Sequence, residues 1–366
     1  MRILIVHPNY YGPPWSEGVA NIARRLVKYL ADRNHDIAIV CSGLKGTDAH
    51  RAGEFGEEIH LVPPSKDRHF WSRTRFWWSF LGRVRQVRSS FRPDTSLVFA
   101  GASFFFSPRV IIFRQLLGAH TTFYVSGLNR PIFAINWFSG NRNIIVGSPF
   151  LRHWFPKAAL AYPVTPLHLD PDENVAAPAN TDSVFSVLFL GALQKERGVG
   201  YLIEGLAAAR KLARGKMRLV IAINSRGEPQ SIEPLAQIEA LIARLGLEDT
   251  VEIRGIADTN ELYREADVVV IPRQQPTKMS FPVRILESLS FGKPLIVTTM
   301  CDMGALVDGC GLVVDPADPN DLARALVRLV DDPALYRKLA GNCAAVLRKY
   351  DPEITLATIH DQLTSI

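Results

Sequence analysis

The sequence predicts an α/β protein of two halves, each a parallel sheet flanked by helices, and three observations carry that reading. Short apolar runs bounded by turn residues alternate with helical periodicities along most of the 366 residues, the mark of strand–helix–strand units. The length suits two domains of ordinary size, and a proline-rich stretch over 161–182 reads as the linker between them. Ser280 to Thr299 then compresses a whole unit into one stretch. Phe281-Pro282 opens a helix, since proline at a first-turn position loses no hydrogen bond. Ile285, Leu286 and Leu289 follow at helical spacing, Gly292 suits the left-handed residue after a helix, and Pro294 forces extension into Leu295-Ile296-Val297. The halves are placed at 1–165 and 166–350, with a closing helix over 351–366.

Composition bounds the class. Hydrophobic residues make up 47% and charged residues 21%, as in a soluble chain with a large core. Cys41, Cys301, Cys310 and Cys343 show neither metal spacing nor a disulfide framework, so reduced cytosolic thiols are expected. The apolar start Ile3–Val6 is cut short by His7-Pro8, and Leu97–Phe106 is too short to span a bilayer. Charge is uneven: residues 1–165 hold 21 Lys/Arg against 9 Asp/Glu, a net +12, while 166–366 hold 21 against 27, a net −6. A basic first half points to an anionic partner. No nucleic-acid motif accompanies it, so membrane phospholipid is expected rather than nucleic acid.

In order along the first half, Arg2–Val6 reads as a strand. The loop Pro8–Glu17 leads to a helix opening at Gly18, with Val19, Ile22, Ala23, Leu26 and Leu30 on one face. Asp36–Val40 is the next strand. His69 to Phe91 interleaves aromatics with Arg73, Arg75, Arg83, Arg85 and Arg88 and holds no acid. Two readings stand. One is an interfacial helix presenting Trp71, Trp77 and Trp78 with those arginines to a membrane. The other is a surface helix burying Trp77, Phe80, Leu81, Val84 and Val87, with its arginines in solvent. Strands at Ser96–Phe99, Thr121–Val125 and Asn143–Val146 follow, separated by a helix near Arg109–Leu117 and followed by one at Pro149–Trp154.

The second half begins with strand Phe185–Leu190 and a polar loop, Gly191 to Gly198. Helix 198–212 carries Val199, Leu202, Ile203, Leu206 and Ala209 at core spacing. Strand Arg218–Ile223, helix Ile232–Leu245 and strands Thr250–Arg254 and Asp267–Pro272 come next, and Asp318 caps a helix. Ligands of open α/β sheets bind beyond the carboxyl ends of strands, and anions favour helix N-termini. Arg273, Lys278, Arg284 and Glu287 stand where such a loop meets such a helix. No G-x-G-x-x-G occurs, which disfavours a dinucleotide oxidoreductase. Asp170-Pro171-Asp172 fits a metal pattern only formally, so no metal site is assigned.

The run P-V-R-I-L-E-S-L-S-F-G-K-P-L-I from Pro282 resembles the signature of the family 4 glycosyltransferases, "glycosyl transferases group 1". These are retaining enzymes of the GT-B fold, two Rossmann-like domains facing across a cleft. The resemblance implies transfer of a sugar from a UDP- or GDP-linked donor to a glycan or lipid-linked acceptor, without metal or other cofactor. It is expected to occur at the cytosolic membrane face. Gly191 to Gly198 is similar to the family's diphosphate loop, with Arg197 in place of its second cation and Ala192 where the first belongs. Glu287 matches the carboxylate that holds ribose hydroxyls. The resemblance also implies donor contacts from Gly191, Ile256, Arg273, Lys278, Ser280, Phe281, Pro282, Val283 and Arg284, with Arg197 and Arg284 as the catalytic cations. Arg284, three residues before Glu287, either substitutes for the missing cation or simply pairs with Glu287. Glu17, Gly18 and Ser126 fall on the acceptor side. Met279 stands where the family has a glutamate that touches the sugar. With Ala192 and Ser126, it keeps open a second reading, a non-catalytic nucleotide-sugar-binding subunit. In the resembled mechanism a donor phosphate oxygen takes the acceptor proton, so no protein base is obligatory.

Overall fold

The chain divides into two units, each built on one sheet of the expected α/β kind. The computed structural model describes residues 1–11, 18–43, 49–64, 70–100, 109–127, 143–166, 184–223, 235–255, 258–275 and 281–365. The first unit comprises Met1–Leu167, Lys278–Phe281 and Tyr350–Ile366; the second comprises His168–Thr277 and Pro282–Lys349.

In the first unit the strands are β1 (Arg2–Tyr10), β2 (Asp36–Ser42), β3 (His50–Ala52), β4 (Glu58–Val62), β5 (Thr95–Ala100), β6 (Thr121–Val125), β7 (Ile144–Val146) and β8 (Ala159–Leu160). They are ordered β3-β4-β2-β1-β5-β6-β7-β8, all parallel except the β3–β4 pair. Strand β1 runs four residues beyond the expected Val6, with a register irregularity between His7 and Tyr10. Its central residues Ile3 to Val6 are fully buried, as a strand covered on both faces requires. Helix Gly18–Ala31 lays Ile22, Ala23, Leu26 and Leu30 on one face of this sheet. The final helix, Pro352–Thr364, adds Leu356, Ile359 and Leu363 to the same cluster, and Asp351 caps it by accepting from Glu353 N at 2.8 Å.

Helix Phe70–Phe91 packs on the other face. Phe80, Val84 and Val87, at helical spacing, are buried beneath it, and Phe76, Trp77 and Leu81 lean against the same cluster. Each fully buried side chain of this size contributes about 1.5–3 kcal/mol. Of the two readings for Trp77, the inward one is what the structure has; Trp71 and Trp78, 78% and 71% exposed, are the outward tryptophans. Among the described residues no helix is long and apolar enough to cross a membrane.

The second unit holds β9 (Phe185–Gly191), β10 (Met217–Ile223), β11 (Val251–Gly255), β12 (Val268–Ile271), β13 (Leu295–Thr298) and β14 (Gly311–Val314). All pair in parallel, in the order β11-β10-β9-β12-β13-β14. Chain order reverses between β9 and β12, and in open α/β sheets ligands bind beyond the carboxyl ends of the strands at such a reversal. Helix Val199–Leu212 follows β9 and buries Val199, Leu202, Ile203, Leu206 and Ala209. Asp318 caps helix Pro319–Asp331 by accepting from Asn320 N and Asp321 N. The helix expected from Phe281-Pro282 begins at Arg284 and ends at Ser290. Pro282 O accepts its first bond, from Ile285 N at 2.9 Å, so Pro282-Val283 form the turn that enters it. Gly292, at φ 63°, supplies the left-handed exit.

Candidate active site

Three arginines come close enough at the reversal to feel one another's charge. Arg197 comes from the loop after β9, Arg273 from the loop after β12, and Arg284 from the first turn of the helix that follows. Two glycines make this convergence possible. Gly198 sits at φ 77°, and a Cβ there would lie 1.8 Å from the carbonyl oxygen of Pro272, so only glycine lets the two loops touch. Gln274 N then donates to Glu196 O at 2.9 Å, closing the contact. At Gly191 a Cβ would stand 2.9 Å from Arg197 Nη1, so the guanidinium rests over bare backbone.

The electrostatics of the three arginines differ. Burial, then repulsion from Arg273 and Arg284, pushes the Arg197 guanidinium down to about 10, against a small pull from Glu196. Its Nε donates to Gln194 Oε1 at 3.3 Å, a neutral partner. Burial likewise lowers Arg273, opposed by a hydrogen bond to Cys301. Cys301 occupies a left-handed backbone position, φ 55°, in the turn after β13. Arg284 goes the other way. Burial acts against its charge, but Glu287 and then Tyr263 more than offset it, and it is raised. A cluster whose members repel one another is an electrostatic arrangement that an anion relieves.

Glu287 is the counter-charge, and it is engaged. Its side chain is 10% exposed, and its Oε2 accepts from Arg284 Nη1 at 2.8 Å and from the Tyr263 hydroxyl at 2.7 Å. Tyr263 is fully buried, stacked on Phe291 with centroids 5.2 Å apart, and raised well above the usual phenol range by burial and then by Glu287. Of the two readings of Arg284, the ion pair with Glu287 is the one the geometry has. Lys293, after the helix, donates to Arg264 O at 3.3 Å.

The remaining sequence-predicted residues scatter. Phe281 packs edge-on to Tyr162 and Tyr350, at 5.8 and 5.6 Å, within the first unit. Pro282 is buried and Val283 half-buried in the turn before the helix. Ser126 is half-buried just after β6, and Gly18 opens its helix. Arg75, Arg85 and Arg88 are exposed on helix Phe70–Phe91, and Arg83 donates to Gln86 Oε1 at 3.1 Å. The backbone of Arg73 lies in this helix. Glu17, Ile256, Lys278, Met279, Ser280 and the Asp170–Asp172 pair lie outside the described residues. Tyr263 and Cys301, which hold Glu287 and Arg273, carry no motif in the sequence.

Residues 184–332 match the family described as Glycosyl transferases group 1. An alpha-D-kanosaminyltransferase of Streptomyces kanamyceticus is 32% identical over 187 residues, 49% of this chain and 44% of that protein. The matched region thus spans less than half the length of that curated relative. Among solved structures, the sucrose-phosphate synthase of Thermosynechococcus elongatus superposes with a TM-score of 0.78 at 18% identity, covering 99% of this chain and 98% of that one. Anabaena Alr3699/HepE in complex with UDP-glucose gives 0.72 at 17% identity, covering 100% of both chains. Likeness of this extent shows the fold, and the chain has the GT-B architecture of two parallel-sheet α/β units.

Proposed function

We propose that the chain is a nucleotide-sugar-dependent glycosyltransferase that uses the arginine cluster of its group 1 unit to hold the donor diphosphate. The observation that carries this is the convergence of Arg197, Arg273 and Arg284 at the strand-order reversal, with Arg197 lacking an acidic partner of its own among the hydrogen bonds described. Cleavage of a nucleotide sugar leaves a diphosphate with growing negative charge. Cations fixed in place before the reaction stabilise that charge without reorganisation. Arg197 is the main such group. Arg284 positions Glu287, and Glu287 is assigned to the ribose hydroxyls, its held orientation suiting a diol. The UDP-glucose held by the Anabaena neighbour supports a UDP-linked donor.

The finer reading is transfer with retention, without a metal in the chemistry, to a glycan or lipid-linked acceptor at the cytoplasmic membrane face. The basic first half and the outward Trp71 and Trp78 support the membrane part. The test is a thermal-shift screen against UDP, GDP and their sugars, followed by donor hydrolysis and product stereochemistry. Turnover with a retained anomer supports the reading. Binding with no turnover favours the non-catalytic subunit, and no binding by any nucleotide sugar overturns both.

A further inference from the structure

The sheet of the first unit begins with a hairpin that the sequence analysis does not assign. Its turn is pinned from inside. Glu57, buried, accepts from Phe55 N at 2.9 Å and from the Tyr11 hydroxyl at 3.2 Å, and Gly53 N donates to Glu57 O at 2.7 Å. This fixes the register of β3 against β4, with His50 opposite His60 and Ala52 opposite Glu58. Strand alternation then sends Glu57, Ile59 and Leu61 inward and puts Glu58 and His60 together on the other face. The bonds Leu61 N to Ala49 O and Gly53 N to Glu57 O flank the His50–His60 pair, which is therefore a non-hydrogen-bonded pair, the closer kind. Their ring centroids are 4.7 Å apart.

We propose that His50, Glu58 and His60 form a binding site for a divalent transition metal of the Zn²⁺ class, one that clips the edge strand β3 to β4. One donor atom from each of the three lies within 4.8 Å of the others. Two imidazoles and a carboxylate are a borderline donor set of the kind Zn²⁺ takes, with positions left for water. Ligands about 2.0–2.1 Å from a tetrahedral ion stand roughly 3.4 Å from one another. His60 Nε2 and Glu58 Oε2 are already 3.4 Å apart, so only the exposed His50 ring has to move inward. His60 Nε2 is also a buried ring nitrogen whose contact among the described residues is Glu58 Oε2, too long for a good hydrogen bond. Arg83, across from β4, is the opposing charge, and it is tied to Gln86 on its own helix. A three-residue edge strand is weakly held by its ladder, and a cross-strand metal supplies what the ladder lacks. The site belongs to the first unit and has no part in the proposed chemistry of the arginine cluster.

The test is calorimetric titration of the full chain, stripped with chelator, with ZnCl₂, beside melting with and without the metal. One equivalent of Zn²⁺ binding saturably, with a raised melting temperature, is expected. Cobalt(II) should give the visible absorption of a low-coordinate nitrogen–oxygen site. His50→Asn and His60→Asn should each weaken binding by roughly 100-fold, at or beyond the upper end of the effect of losing an outer-sphere partner. Glu58→Gln, an exposed change that leaves the fold alone, should weaken it by roughly tenfold. Folding of each variant is checked by circular dichroism and by its melting in chelator. The proposal is overturned if no saturable site exists, or if Zn²⁺ binds a folded His50→Asn/His60→Asn double variant as it binds the native chain.

Discussion

Two regions of this chain are rich in arginine, and burial makes them different objects. On helix Phe70–Phe91, Arg75, Arg85 and Arg88 stand in solvent, each free to be screened. In the second unit, Arg197, Arg273 and Arg284 share one crevice, where each feels burial and Arg197 also feels the other two. Equal formal charge therefore yields diffuse attraction in one place and a shaped demand for an anion in the other. Substitutions in the crevice should act on catalysis and nucleotide affinity, whereas those on the helix should act only on salt-sensitive surface binding.

The largest effect is expected at Arg197. Arg197→Ala should lower single-turnover donor cleavage by about 10²–10³-fold, the usual cost of removing a group that faces developing negative charge. An equal loss from Arg85→Ala in the same assay would erase the distinction between the two regions. Next is Glu287→Gln, which should weaken nucleotide binding by about 1.5–3 kcal/mol, read by calorimetry. It also leaves Arg284 without its ion-pair partner, so a lower melting temperature is expected alongside. Tyr263→Phe removes one hydrogen bond to the same carboxylate and should cost about 1 kcal/mol of stability. Unchanged melting for both would mean that this buried network does not hold the site.

pH sharpens the contrast. The folded-state pKa of Arg197 is lowered, to about 10, so its charged form costs stability at any lower pH, and the cost is relieved as pH rises through that value. A bound diphosphate removes the cost at neutral pH. Its melting-temperature increment should therefore shrink as the solution is taken above about pH 10. The smallest effect is on the helix. Arg83→Gln, Arg85→Gln and Arg88→Gln together should reduce sedimentation with anionic vesicles, each near-surface charge being worth about 1 kcal/mol before screening. Indifference to anionic vesicles at low salt would assign the basic half to another partner.

Much of this was legible in the sequence where one element decides its own structure. Parallel strands buried on both faces read as apolar runs, and Asp318 announced its helix as a cap. The Arg284–Glu287 pair followed from three-residue spacing on a helix. What depends on long-range packing was not legible. Tyr263 reads as an ordinary core tyrosine until β12 and the next helix bring Glu287 to its hydroxyl. Arg273 reads as a loop cation until Gly198 lets the two loops meet. Trp77 was left between an outward and an inward reading, and packing puts it beside Phe80 on the inner face. The β3–β4 hairpin escaped because His50–Ala52 and Glu58–Val62 are short and partly polar.

The central claim, that the arginine crevice binds a diphosphate, is tested most directly by calorimetry with UDP and GDP, each beside its bare nucleoside. In the native chain the preferred diphosphate should bind far more tightly than its nucleoside. In Arg197→Ala, folded as judged by circular dichroism, most of that difference should vanish while nucleoside affinity stays the same. If the diphosphate holds its advantage in the variant, or has none in the native chain, the crevice is not a diphosphate site.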